Sequence, residues 1–76
     1  MKIIPEMTFN EEGIIEKIED VHLPCVQRLM TLGLIEGSTI KYISSVSSSI
    51  EIEIYGSKLA LNTDCASHFI VETKSS

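Results

Sequence analysis

Two pairs of side chains give this chain its potential for metal chemistry. His22 and Cys25 are separated by two residues, and Cys65 and His68 have the same spacing in the reverse order. Together they supply the two thiolates and two imidazoles of a tetrahedral Cys₂His₂ zinc site. If the fold brought all four to one point, the chain would be a metal-ion-binding sensor or sequestering domain.

The same four residues also have a simpler interpretation. A free cysteine often packs as a small apolar side chain, and a short chain can contain two such pairs by chance. Pro24 stiffens the first pair in a way that is unusual for ligand motifs. We therefore expect no metal site and no cofactor, with binding by His22, Cys25, Cys65 and His68 as the alternative. A disulfide would require Cα atoms less than ~7 Å apart.

Composition argues against several other classes of function. The 76 residues contain neither the G-x-S-x-G elbow of hydrolases nor a phosphate-binding glycine loop, so we expect no enzyme and no catalytic residue. Eleven acidic and six basic residues give a net charge of −5, which disfavours binding to nucleic acid or to anionic lipid. No apolar run approaches the ~20 residues of a membrane span, and no signal peptide is visible. We expect a cytoplasmic protein without membrane insertion, and homo-oligomeric assembly is a further possibility.

The elements that position these side chains begin with an amphipathic helix over residues 24–32. Pro24 suits its first turn, where a missing N–H costs nothing. Glycine at position 33 can adopt the left-handed conformation that ends a helix, and Gly37 suits a tight turn into the next strand. The residues spaced i, i+3, i+4 and i+7 along one face of the helix are Val26, Leu29, Met30 and Gly33.

The remaining apolar segments predict short β-strands joined by turns. The serine-rich stretch 44–49 predicts a loop, and Thr63 or Asp64 is expected to cap one helical turn. Residues 73–76 are expected to form a frayed tail. The expected strands lie near residues 14–19, 39–44, 50–55, 58–62 and 70–72, with a strand or extended lead-in at 7–9.

One hairpin can be predicted in register. Gly56 and Ser57 suit a two-residue type II′ turn, which has glycine at its first central position. That turn would pair Ile54 with Leu59 and Ile52 with Leu61. Every apolar residue of the hairpin would then lie on one face.

The order of residues 28–37 resembles the FeoA family, small cytosolic accessory proteins of bacterial ferrous iron transport. The shared pattern is Arg-Leu, two residues, Leu-Gly-Leu, two residues, Gly, and then an apolar strand. Further similarities are the strand 50–56 with its closing glycine, the segment 59–61 and the segment 66–72. The resemblance spans residues 7–72. Glu36 departs from the family by standing where a proline is common, and serines replace the usual Pro/Gly/Asp-rich loop.

The resemblance implies a mainly β fold for a single domain over residues 1–76. That fold is a small SH3-like barrel of about five strands, with one short α-helix and a helical turn. It also implies a non-catalytic, regulatory function through contact with the FeoB permease, at that protein's cytosolic GTPase region. Two alternatives remain for the apolar side chains at the helix end: all of them pack into the barrel, as is expected for Leu29 and Leu32, or Leu34 or Ile35 is exposed and forms part of a contact surface. The expected partner-binding residues are Leu32, Gly33, Leu34, Ile35 and Gly37.

Overall fold

The computed structural model describes residues 1–73, which form one antiparallel six-stranded sheet. The sheet is accompanied by a 3₁₀ turn, Ile4–Glu6, and by two helices, α1 (Pro24–Thr31) and α2 (Thr63–Ala66). The mainly β architecture confirms the prediction. Within residues 1–73 no helix has the length and apolar character needed to cross a bilayer. The strands are β1 (Lys2–Ile3), β2 (Glu12–Ile18), β3 (Thr39–Val46), β4 (Ser49–Ile54), β5 (Ser57–Asn62) and β6 (Phe69–Thr73). Their order across the sheet is β1-β6-β2-β3-β4-β5.

The hydrophobic core combines the buried side chains of the sheet with those of the 3₁₀ turn, α1 and α2. Strand β4 alternates strictly, with its three isoleucines buried. Strand β2 breaks the alternation, because a bulge against β6 between Ile15 and Lys17 inserts one residue and turns Ile18 back inward. The largest fully buried side chains are Phe69, Ile4, Ile15, Leu34, Ile40, Ile52, Val26 and Val71.

The predicted register of the β4–β5 hairpin is wrong. The turn residues are Tyr55 (φ +51°) and Gly56 (φ +78°), so both central positions have positive φ as in a type I′ turn. Ile52 therefore pairs with Leu59 rather than with Leu61. The apolar residues of the hairpin still share one face. The pairing differs from the predicted one by two residues, and such a shift does not change the side to which each residue points.

The serine-rich segment is also a hairpin rather than the predicted loop. Strand β3 continues to Val46, and β4 begins at Ser49, with which Val46 pairs. Ser47 and Ser48 alone form the turn, with φ +55° at Ser47. Pairing with the neighbouring strand provides backbone partners for the serines, which sequence propensity alone does not anticipate.

Two smaller predictions need correction, and one alternative is decided. Of the strand or extended lead-in expected at residues 7–9, the structure has the lead-in: Met7 is extended and buried after the 3₁₀ turn, and Phe9 is exposed in a turn. The cap of α2 is Asn62, whose side chain accepts a hydrogen bond from the Asp64 N–H at 2.8 Å. Thr73 ends β6, and the rest of the expected tail lies outside the described residues. The helix prediction is confirmed, with α1 ending one residue earlier than expected.

Candidate partner-binding surface and thiol pair

The C-terminus of α1 has the geometry predicted for Gly33. This residue adopts φ +108°, and its N–H donates to the carbonyl of Met30 at 3.0 Å. The N–H of Leu34 donates to the carbonyl of Leu29, also at 3.0 Å. These two bonds define a Schellman motif, which satisfies carbonyls that a helix end otherwise leaves without partners.

The motif decides which apolar side chains are exposed. Leu34 is 0% exposed and packs in the core with Leu29, the contact that commonly accompanies this type of helix end. Leu32 is 52% exposed and Ile35 is 45% exposed. The expectation that Leu32 packs inside is therefore wrong, and so is the placement of Leu34 at a contact surface. The chain reverses at Gly33, which directs Leu34 inward and leaves Leu32 and Ile35 outside.

A second turn, over residues 35–38, sets the direction of the chain after the helix end. The Ser38 N–H donates to the Ile35 carbonyl at 3.1 Å, and Gly37 between them has φ +91°, which defines a type II turn with Glu36 at its first central position. The Gly37 N–H also donates to the carbonyl of Ile15 in β2 at 2.8 Å. The predicted positive φ of Gly37 is confirmed. Proline is common at the position that Glu36 occupies, but the turn forms without it.

Tyr55 also lies at this helix end, although it is not among the contact residues predicted from the sequence. An added Cβ on Gly33 would lie 3.4 Å from Cε2 of the tyrosine ring. The Tyr55 hydroxyl lies 3.2 Å from Oγ of buried Ser38, and that Oγ donates to the Gly33 carbonyl at 3.0 Å. The tyrosine is nevertheless 76% exposed. The residues around Tyr55 in the sequence do not predict this position, because it depends on the register of the β4–β5 hairpin.

We name Leu32, Gly33, Ile35 and Tyr55 the helix-end patch. Three of the four present exposed apolar side chains around one glycine. The Schellman motif, the type II turn and the Ser38 hydrogen bonds hold the backbone beneath them. The patch is therefore an ordered apolar surface and not a mobile loop tip.

A groove of about 510 Å³ borders the patch at Leu32 and runs between α1 and β5. Its walls are mainly apolar, with Leu59 and Leu61 of β5 facing Leu29 of α1. Arg28 is the charged residue of the lining. The groove thus extends the apolar surface of the patch towards the beginning of α1.

The four residues of the metal-binding hypothesis do not come together. Cys25 and Cys65 both line the groove, whereas Nδ1 of His68 lies 2.9 Å from a carboxylate oxygen of Asp20. Within residues 1–73, no group of three or more His, Cys, Asp or Glu side chains is arranged to hold a metal ion. The structure contradicts a site built from all four residues, and it brings together only the two cysteines.

The two thiols differ in exposure. Cys25 is exposed in the first turn of α1, and Cys65 is buried in α2. Burial, and to a smaller extent the neighbouring Cys25 thiol, raise the pKa of the Cys65 thiol to about 12. At neutral pH, Cys65 is therefore a neutral thiol that lines the same groove as an accessible one.

The raised pKa predicts a loss of stability in alkali. Because folded Cys65 keeps its proton above its ordinary pKa of 9.0, the unfolded chain binds fewer protons, and the free energy of unfolding falls as pH rises from about 9 towards 12. Each unit of pKa difference contributes about 1.4 kcal/mol. Urea unfolding at pH 8, 9 and 10 should show a steeper decline for the wild type than for Cys65→Ser. Parallel declines would contradict the assignment to Cys65.

Substitution of Gly33 tests the helix end. We expect Gly33→Ala to lower the free energy of unfolding by about 1–3 kcal/mol, because φ +108° is strained for a residue with a Cβ. The nearest atom, on the Tyr55 ring, leaves room for the methyl group. Adding Tyr55→Ala should therefore not rescue Gly33→Ala. Urea denaturation of both single variants and the double variant measures this, and a rescue would show that the cost is steric.

Comparison with solved structures shows the same fold over nearly all of this chain. The crystal structure of an iron uptake regulatory protein, FeoA, superposes with a TM-score of 0.85 and 26% identity, covering 96% of each chain. FeoA of Stenotrophomonas maltophilia complexed with zinc, described as a procaryotic SH3 domain protein and a candidate ferrous iron transport activating factor, superposes with a TM-score of 0.83 and 17% identity. That match covers 95% of this chain and 91% of the other.

A third structure shows where else the fold occurs. A manganese-dependent transcriptional repressor superposes with a TM-score of 0.87 and 13% identity, covering 96% of this chain but 41% of the repressor. Its similarity concerns the fold alone, and that fold is SH3-like. No curated protein sequence matches the chain significantly.

The family model of the FeoA domain matches residues 5–73. The match contains the whole helix end, both glycine turns and the β4–β5 hairpin described above. With this coverage, and with the same fold in solved FeoA proteins, the chain belongs to the FeoA family, the small accessory domains of bacterial ferrous iron transport.

Proposed function

We propose that this domain regulates ferrous iron uptake by binding the cytosolic GTPase region of the FeoB permease, and that it does so in the cytoplasm. The observation that carries the proposal is the exposure of Leu32, Ile35 and Tyr55 around Gly33 in a domain of this family. The domain is an accessory protein in this proposal and performs no catalysis. The single domain over residues 1–76 is the binding unit.

The chemistry of the helix-end patch suits a protein partner. Interface cores are depleted in charge and enriched in aromatic residues, and tyrosine is frequent among the residues that contribute most to binding. The Tyr55 ring offers a large apolar surface whose hydroxyl already has a partner in Ser38. The side chains of Leu32, Ile35 and Tyr55 carry no charge in a domain with a net charge of −5, so docking through them avoids burying charged groups.

Rigidity of the patch supports the same proposal. The backbone from Gly33 to Ser38 is held by the Schellman motif, the type II turn and the bond of Gly37 to β2. Since an ordered surface loses little conformational entropy on binding, more of its contact energy becomes affinity. Leu34 and Gly37 then contribute by shaping the patch and not by touching the partner.

Regulation follows from differential binding. A bound domain shifts the conformational equilibrium of a transporter only if it binds one state more tightly than another. For FeoB the states are distinguished by the nucleotide in the GTPase region. We therefore expect the affinity of this domain to depend on that nucleotide.

The test is a binding titration of the domain against the purified cytosolic GTPase region of the cognate permease. It is run without nucleotide, with GDP and with a non-hydrolysable GTP analogue. Saturable binding that changes with the nucleotide supports the proposal and identifies the selected state. Absence of binding in every state, to the GTPase region and to full-length permease in detergent, would reject it.

Self-association is the competing use of the same surface. Sedimentation of the domain alone distinguishes the two, because a homo-oligomer built on the patch would dissociate when Leu32 and Ile35 are replaced by serine. A monomer at the concentrations used for the titration leaves the patch free for the permease.

A further inference from the structure

The helix-end patch does not use the two cysteines, yet the fold brings both of them to the same groove. Cys25 stands in the first turn of α1 and Cys65 in α2, and both line the groove between α1 and β5. The two helices approach within 8 Å at several Cα pairs. The Cys25 thiol is also near enough to that of Cys65 to contribute to the raised pKa of Cys65. Two free thiols that line one groove from neighbouring helices can form a disulfide when their Cα atoms are within ~7 Å.

We infer that Cys25 and Cys65 are a reversible dithiol–disulfide pair that is oxidised by a small anionic disulfide. The inference is independent of the proposed permease contact. Cys25 is the entry point because it is exposed, and Cys65 is the resolving thiol because it is buried beside it.

The chemistry is two successive thiol–disulfide exchanges. The Cys25 thiolate attacks one sulfur of the disulfide RSSR, which forms a Cys25–S–S–R mixed disulfide and releases one thiolate, RS⁻. The Cys65 sulfur then attacks Sγ of Cys25 while its proton passes to the first released thiolate. The second RS⁻ leaves and takes from water the proton that Cys25 had given up. In total, two protein thiols and RSSR become one protein disulfide and two RSH. A small-molecule dithiol reverses the reaction.

The charge of the groove indicates which disulfides react fastest. Arg28 lies one turn after Cys25 on α1 and lines the same groove. The other lining residues are uncharged apart from the thiols themselves. A guanidinium next to the entry thiol attracts a disulfide that carries carboxylates and repels one that carries amines. Glutathione disulfide and cystamine are therefore the informative pair of probes.

Oxidation would also link two helices covalently and raise the stability of the domain. The bond would tie the first turn of α1 to α2 and so span one end of the groove that borders the helix-end patch. It would close a loop over residues 25–65, which restricts the unfolded chain. We expect the oxidised domain to unfold at a temperature at least about 10 °C higher than the reduced domain.

The experiment treats the dilute, reduced domain with glutathione disulfide and follows it by intact-mass spectrometry and non-reducing electrophoresis. The wild type should lose two hydrogen atoms without keeping an adduct and should remain monomeric. Cys65→Ser should stop at one glutathione adduct, and Cys25→Ser should remain unmodified. A stable adduct on the wild type, a disulfide-linked dimer, or no reaction would each overturn the inference. Circular dichroism before the reaction confirms that the variants are folded.

The effect of Arg28 on the choice of disulfide is tested by comparing two reaction rates. Wild-type Cys25 should react several-fold faster with glutathione disulfide than with cystamine, and Arg28→Gln should reduce this ratio. An unchanged ratio would overturn the anionic preference. Comparison of the two reagents within each protein removes general effects of the substitution on folding.

Discussion

Leu34→Ala is expected to lower the free energy of unfolding by about 2–5 kcal/mol. The side chain is 0% exposed and lies among the largest buried residues of the core. Its removal loses apolar burial and leaves a cavity that the surrounding strands fill only in part. For a domain of this size, with a total stability of roughly 4–11 kcal/mol, such a loss brings the chain close to unfolding.

Leu32→Ala is the matched control for Leu34→Ala. The same substitution two residues earlier acts on a half-exposed side chain and should change stability by less than about 1 kcal/mol. Both values come from urea unfolding followed by far-UV circular dichroism, with the slope against urea checked for constancy. Equal losses at the two positions would contradict the inward placement of Leu34. A loss of stability in Leu32→Ala alone would show that Leu32, and not Leu34, is the buried residue.

The second large effect is expected at the helix-end patch. Leu32→Ser combined with Ile35→Ser should weaken binding to the GTPase region by roughly 30-fold or more, because central apolar contacts contribute at least about 2 kcal/mol. Both side chains are exposed, so the domain should stay folded. Isothermal titration calorimetry in the nucleotide state that binds most tightly gives the two affinities.

Val46→Ser is the matched control for the binding experiment. Val46 is an apolar β-branched residue with 72% exposure, comparable to the patch residues. It lies at the opposite end of the β3–β4 pair from Tyr55, about 20 Å away along the strands. Normal binding by Val46→Ser together with weak binding by the double variant assigns the contact to the patch. Equal affinities of the wild type and the double variant would show that the patch does not contact the GTPase region.

The sequence by itself determined the elements whose signals are local. Proline at the first helical position and glycine after the last define α1 closely, because both act through backbone conformation within a few residues. The positive φ values of Gly33 and Gly37 follow for the same reason. Alternation in β4 identified its buried face, and the ordered motif identified the family.

Tertiary structure alone decided where the exposed apolar side chains lie and which thiols meet. Leu32 and Leu34 are alike in sequence terms, but a reversal at Gly33 buries one and exposes the other. Tyr55 joins the helix end, and Cys65 joins Cys25, through pairing of strands distant in sequence. Local propensity constrains φ and ψ, whereas these contacts depend on sheet register, which is set by the packing of the whole core.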